Sequence, residues 1–293
     1  MTARPALSVV VASFRDLAVL DACLASLRDQ CRAHGAELLV VRGVREPADA
    51  LARVTAGCRL IAADATDGIP ALRGRGIAAA SGEWVAVTED HCVADAGWVC
   101  ALLAAGGPGA DVLGGAMGNA QRARRTDCGA FFSEYGFFGA VVRAGPSGPP
   151  LVTGANAAYH RRVVPDVADW ALTGSWENVI HDRLFAAGHP FRLVPDARVR
   201  QNLRYDLAAF AVDRFEHGRD YAATRGKRLP GWRRAVLAAA TPLLPLVLAR
   251  RIVRAVDPGE RPYFARALPA TLTFLAAWAA GEATGYLFGH GRA

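Results

Sequence analysis

The first ninety residues alternate short β-branched runs with stretches of helical spacing, a rhythm that few folds accept. Leu7–Ala12 (LSVVVA) is a continuous apolar run, as in a strand covered on both faces. Leu17 to Cys31 carries Leu17, Leu20, Cys23, Leu24 and Leu27, spaced as one helix face. Glu37–Val41 reads as a second strand, a helix holds Leu51 and Val54, and Leu60–Ala63 reads as a third strand. Leu72–Ala80 is a further helix, and Trp84, Val85 and Val87 mark the next strand. Strands that alternate with helices predict an α/β fold with a doubly wound, mostly parallel sheet.

That fourth strand stops on Thr88, Glu89, Asp90 and His91. Two carboxylates and an imidazole are costly to hold together unless a cation shares them. In open α/β sheets the carboxyl ends of the strands are also where ligands bind. One reading is therefore a cation-assisted site for a phosphorylated ligand. The other is a polar loop whose acids cap the next helix, with Asp95 as N-cap before Gly97 and Trp98.

Beyond Trp98 the regularity loosens. Gly106–Gly115 is glycine-rich, Arg122–Arg125 basic, Phe131–Phe138 aromatic, and Pro146–Pro150 a turn-rich break. Leu151–Tyr159 resumes as a strand with a Gly-Ala-Asn kink. Glu177–Ala187 reads as a helix closed by Gly188, Phe191–Val194 as a strand, and Phe210–Arg225 as an Arg-rich helix. The tail holds two apolar stretches. Ala235–Ala249 is short for a span, contains Pro242 and Pro245, and is flanked by Arg233, Arg234, Arg250, Arg251 and Arg254. Arginines at both ends keep both ends on the cytoplasmic side. Ala267–Gly289 is nearly long enough to cross but carries Glu282, which favours surface insertion or a hairpin over a plain span. The competing reading packs both stretches as ordinary core helices.

Net charge is +7, and 33 of the 34 basic residues are arginine, Lys227 being the exception. Anionic partners suit that balance, such as a membrane surface or nucleotide phosphates. Aromatic residues do not interleave with the basic clusters, which argues against nucleic acid. The six cysteines (Cys23, Cys31, Cys58, Cys92, Cys100, Cys128) lack paired metal spacing and read as small buried thiols of a reduced, cytoplasmic protein. The N-terminal apolar run breaks early and reads as a strand rather than a signal peptide.

Four segments, in order, resemble the family-two inverting glycosyltransferases with the GT-A fold: LSVVVASFRD, IPALRGRGIAAASGEWVAVTEDH, LVTGANAAYHRR and WENVIHDRLFAAGHPFRLVPDARVRQ. The resemblance spans about Leu7–Arg225 and implies a catalytic domain over residues 1–225. The tail, 226–293, is similar to the membrane-associating extension of bacterial members. It implies an inverting transfer of a sugar from a UDP- or GDP-sugar to a lipid-linked or cell-envelope glycan acceptor, at the cytoplasmic face of the cell membrane. Donor contacts fall on Ala12, Ser13, Phe14, Arg15, Arg73, Glu89 and Asp90, and acceptor contacts on Gly154, Ala155, Asn156 and Trp176. Glu89, Asp90 and His91 stand at the metal motif, for Mn²⁺ or Mg²⁺, with imidazole better suited to Mn²⁺. Glu177 stands at the base position, with Asp182 a turn further on. Trp176 would shield Glu177 and raise its pKa toward the working range; as a helix-capping acid Glu177 would need no such role.

The chain departs from the family at Glu89-Asp90-His91, at Glu177-Asn178 in place of Glu-Asp, and at Arg42-Gly43, where the family often has nucleoside-contacting acids. Gln201 to Tyr205 (QNLRY) is loosely similar to the motif of processive members. A catalytically inactive sugar-nucleotide-binding or scaffold protein is the alternative these departures leave open. A dinucleotide-dependent oxidoreductase is disfavoured, because the loop after the first strand lacks the glycine fingerprint.

Overall fold

The computed structural model describes residues 4–43, 46–139, 150–227 and 229–290. Most of the proline-rich break expected at Pro146–Pro150 lies outside the described residues. The chain divides into two compact units, Met1–Ala120 with Ala140–Asn202, and Gln121–Gly139 with Leu203–Ala293.

The first unit is built on β1 (Leu7–Ser13), α1 (Leu17–Ala33), β2 (Glu37–Gly43), α2 (Ala48–Val54), β3 (Arg59–Ala63), α3 (Ile69–Ala79) and β4 (Trp84–Glu89). β5 (Cys92–Ala94), α4 (Trp98–Ala105) and β6 (Val112–Asn119) follow. The second unit interposes α5 (Arg125–Tyr135). The first then resumes with β7 (Asn156–His160), α6 (Val164–Leu172), α7 (Glu177–Ala186) and β8 (Phe191–Gln201). The sheet has eight strands in the order β3-β2-β1-β4-β7-β6-β8-β5. β1 to β4 pair in parallel, whereas β7 runs antiparallel to both β4 and β6. This is the expected α/β class, with one reversed strand, β7, let into its middle and another, β5, at its edge.

Continuous apolar strands follow from burial on both faces. Val9, Val10 and Val11 are all fully buried. Val10, Leu39, Val85 and Val87 pack with Leu72, Ile77, Val167 and Ile180 of the helices on one side. α1 turns Leu20, Cys23, Leu24 and Leu27 inward and is capped by Asp16, whose side chain accepts from Val19 N at 3.0 Å.

Several expectations are corrected. β4 runs on through Thr88 and Glu89, and β8 is eleven residues long. The strand expected from Leu151 begins only at Asn156. β6 forms where glycines suggested a loop, because Gly115 faces the Asn156 side chain and the Ala197 carbonyl, where a Cβ would clash. Asp95 does not cap α4: its carboxylate binds the Arg200 guanidinium at 2.5 and 2.8 Å, and Gly97 at φ +87° occupies the cap. Cys100 is exposed and Cys58 partly so, while the other four thiols are buried.

The second unit is helical, with α5 joined by α8 (Leu207–Gly226), α9 (Gly231–Ala240), α10 (Leu244–Ala255) and α11 (Arg261–Phe288). α8 packs on α11, so the helical unit takes in the chain from Leu203 onward. Gly281 lies against the backbone of Phe215 and Arg219 so closely that a Cβ would overlap it. Phe210 meets Phe274 edge-on at 4.8 Å. Glu282 is buried and accepts from Trp278 Nε1 at 2.5 Å. The stretch Ala267–Gly289 thus packs one face inside this unit, against α8 and α5, while Leu287 and Phe288 at its end are exposed. Gly231–Ala255, 25 residues, is long and apolar enough to cross a membrane by length and composition alone.

Candidate active site

Strand register gathers the polar residues at the carboxyl edge of the parallel strands. Ser13 stands opposite Arg42, and Ala12 opposite Glu89. Asp90 comes next and is 1% exposed. Its Oδ2 accepts from Ser13 Oγ at 3.0 Å and from the backbone N–H groups of Phe14 and Arg15, both at 2.7 Å. Arg42 Nη1 donates to Ser13 Oγ at 2.6 Å and lies 3.8 Å from Asp90 Oδ2. The other limb of Arg42 pairs with Glu46. Burial pushes the Asp90 carboxyl above its usual range, and the two amides, His91 and Ser13 offset only part of that.

Against this edge lies a cleft of about 270 Å³, lined by Ser13, Phe14, Arg15, Asp16, Arg42, Gly43 and Glu46 and, after β3, by Asp64, Ala65 and Asp67. Its place, outside the carboxyl ends of β1, β2 and β3, is where doubly wound sheets bind ligands. Arg42 was not among the sequence candidates. Its signals were its place at the Arg42-Gly43 departure from the family pattern and an arginine ending an apolar strand with Glu46 four residues on.

One guanidinium joins the remaining acids. Arg73, 7% exposed, pairs with Glu89 through Nη2 and with Glu177 through Nη1 at 2.8 Å. Burial opposes its charge, but the two carboxylates outweigh that and hold it protonated more firmly than usual. The backbone at Gly154 lies against the guanidinium, so a Cβ there would overlap it. Burial raises the Glu177 carboxyl, yet Arg73 and hydrogen bonding outweigh it and leave the pKa below the ordinary value. The shielding expected from Trp176 therefore does not set this group: Trp176 is 44% exposed and lies 5.9 Å from Arg73 by ring centroid.

On the next turn of α7, His181 is 2% exposed and hydrogen-bonds the Tyr159 hydroxyl at 2.9 Å. Burial lowers its pKa to about 4. It shares a helix face with Glu177 by i,i+4 spacing, a signal present in the sequence but not used. Asp182, five residues from Glu177, falls roughly 140° round the helix and is exposed. The structure does not bring it to the site.

Asn156 is buried and commits its amide to the fold. Nδ2 donates to Ala116 O at 2.9 Å and to Ala197 O at 2.8 Å, and Oδ1 accepts from Trp98 Nε1 at 2.9 Å. Ala155 is fully buried. Of the four acceptor-side candidates, only Gly154 and Trp176 adjoin the Arg73 cluster.

The proposed metal triplet does not close into a cage. Among the described residues, no group of three His, Cys, Asp or Glu side chains is arranged to hold a metal ion. Asp90 is turned to the β1 loop, away from Glu89. Glu89 Oε2 and His91 Nδ1, however, stand 3.3 Å apart. A carboxylate oxygen beside an imidazole nitrogen is a donor pair that a divalent transition-metal ion such as Mn²⁺ accepts, given further oxygen ligands from a bound molecule.

A polar cleft at the strand ends, backed by buried acids bridged by one cation, defines an α/β enzyme of the doubly wound, GT-A-like kind. The chain belongs to glycosyl transferase family 2, whose model matches residues 8–167, more than half of its length. It is a glycosyltransferase. Comparison with curated protein sequences gives no match. Among solved structures, the mannosyltransferase PcManGT from Pyrobaculum calidifontis, in complex with GDP-Man and Mn²⁺, is similar at TM-score 0.55 and 17% identity, covering 96% of this chain and 88% of that one. Glucosyl-3-phosphoglycerate synthase from Mycobacterium tuberculosis, in complex with Mn²⁺, UDP and phosphoglyceric acid, gives TM-score 0.47 at 14% identity, over 71% and 74% of the two chains.

Proposed function

We propose that this glycosyltransferase moves a sugar with inversion from a UDP- or GDP-sugar to a lipid-linked or cell-envelope glycan, at the cytoplasmic face of the cell membrane. The observation that carries the reading is the Glu89–Arg73–Glu177 bridge beside the cleft at the strand ends. In this reading the nucleoside lies in the cleft over Phe14, Arg15 and Arg42, and the diphosphate extends toward Arg73. Glu89 and His91 would hold a divalent ion, Mn²⁺ or Mg²⁺; the GDP-Man and Mn²⁺ of the Pyrobaculum relative support that choice. When bound, such an ion neutralises charge on the leaving diphosphate.

The chain's own residues do the rest. The diphosphate offers Arg73 a competing anion, so Glu177 loses the partner that keeps its pKa low and becomes a stronger base. Its carboxylate takes the proton of the acceptor hydroxyl while that oxygen attacks the anomeric carbon. The bond from that carbon to the diphosphate breaks, and the diphosphate leaves with the electron pair, its charge met by Arg73. The exposed indole of Trp176 supplies a face on which the acceptor can rest.

A screen of UDP- and GDP-sugars with Mn²⁺ and with Mg²⁺, read as nucleoside diphosphate release, tests this. Release that disappears in Glu177→Gln while donor binding persists is the expected result. No release from any donor, with donor binding intact, would instead favour a sugar-nucleotide-binding protein without turnover. The internal partners already held by Glu89 and Asp90 motivate that second reading.

A further inference from the structure

Within the helical unit, α9, the 3₁₀ turn Thr241–Leu243 and α10 carry two apolar stripes. Ala238, Thr241, Ala249 and Ile252 are buried in the unit's own packing. On the other side Trp232, Val236, Leu243, Leu246, Val247 and Val253 are 44 to 66% exposed. Arg234 Nε donates to Tyr286 O at 2.9 Å, which fixes the end of α11 beside α9. The exposed Leu287 and Phe288 follow directly. Unpaired apolar surface of this extent marks an interaction site.

Charge identifies the occupant. Residues 231–256 contain five arginines and no acid. Arg233 stands at one end, and Arg250, Arg251 and Arg254 at the other, all exposed. A protein partner with an apolar groove needs no such flanks, whereas an anionic headgroup layer does.

We propose that the α9–α10 face lies in the headgroup layer of an anionic phospholipid bilayer, parallel to its plane, without crossing it. The stretch between the arginines, Ala235–Ala249, is fifteen residues, about 22 Å as helix, against a hydrocarbon core of about 30 Å. Its inner stripe is moreover already packed within the protein. The inference rests on the membrane location proposed above, but not on the transfer chemistry.

The full chain is floated with vesicles of phosphatidylcholine alone and with 30% phosphatidylglycerol. Binding is expected only with the anionic lipid, at least tenfold weaker in Leu246→Asp/Val247→Asp and in Arg250→Gln/Arg251→Gln/Arg254→Gln, with unchanged circular dichroism. Alkaline carbonate is expected to strip the bound protein. Equal binding to both vesicle types, retention after carbonate, or a stable dimer in light scattering that the Asp pair dissolves would each overturn it. Donor hydrolysis measured without lipid is expected to be the same in these variants, so failure here is separable from failure of the enzymatic reading.

Discussion

Two regions, the strand ends of the sheet unit and the α9–α10 segment of the helical unit, use arginine in opposite ways. In the sheet unit, Arg73 and Arg42 are buried against carboxylates at the ends of β1, β2 and β4. In the helical unit, Arg233, Arg250, Arg251 and Arg254 face outward from a segment without acids. A buried cation must be repaid by partners held in fixed geometry, so it marks a place where charge is organised. An exposed one costs little and marks a surface. Thirty-three arginines therefore say little as a count, and much once each one's surroundings are known.

The contrast predicts its sharpest break at Arg73. Arg73→Met leaves Glu89 and Glu177 without their cation and should cost about 3 kcal/mol of the sheet unit's stability, read from urea unfolding; Arg251→Met should change it by less than about 0.5 kcal/mol. If both cost the same, the distinction fails. Next in size, Glu177→Gln should lower kcat by about 10²–10⁴-fold, with a loss of thermal stability smaller than that of Arg73→Met because Glu89 still holds the guanidinium.

A pH effect follows. His181, at about 4 in the fold against an ordinary 6.5, stays neutral where the unfolded chain binds a proton. Stability should hence fall as pH drops from 6.5 toward 4, by about 1.4 kcal/mol per unit. Glu177, depressed in the fold, adds stability that is lost only as pH falls further, through its own folded pKa. His181→Gln keeps a partner for Tyr159 and should flatten the upper part of that slope in thermal melts. The smallest effect is expected at Asp182: Asp182→Asn should leave kcat within about twofold, since the side chain is exposed and away from the cluster.

The parallel half of the fold was legible because β1, β2 and β4 are buried on both faces and therefore read as unbroken apolar runs. β6 was not, because its glycines serve close approach to Asn156 and Val152 rather than turns. α11 was read as membrane-associated because apolar composition does not say whether lipid or protein covers a helix; here α8 and α5 do. Within the candidate site, Asp90 was singled out by residue type at a strand end and Glu177 by the family resemblance. Arg73 was a candidate too, but its pairing with Glu177 was not legible, since the two lie 104 residues apart and only the folded sheet joins them. The same distance hid the depressed pKa of Glu177, for which neighbouring Trp176 was a misleading guide.

The bonds that hold the loop after β1 come from the main chain: the amides of residues 14 and 15 both end on Asp90. At residues 14 and 15 the path of that loop thus does not depend on which side chains it carries. In the proposed reading, where the nucleoside lies over Phe14 and Arg15, those two side chains are free to change while the rim keeps its course.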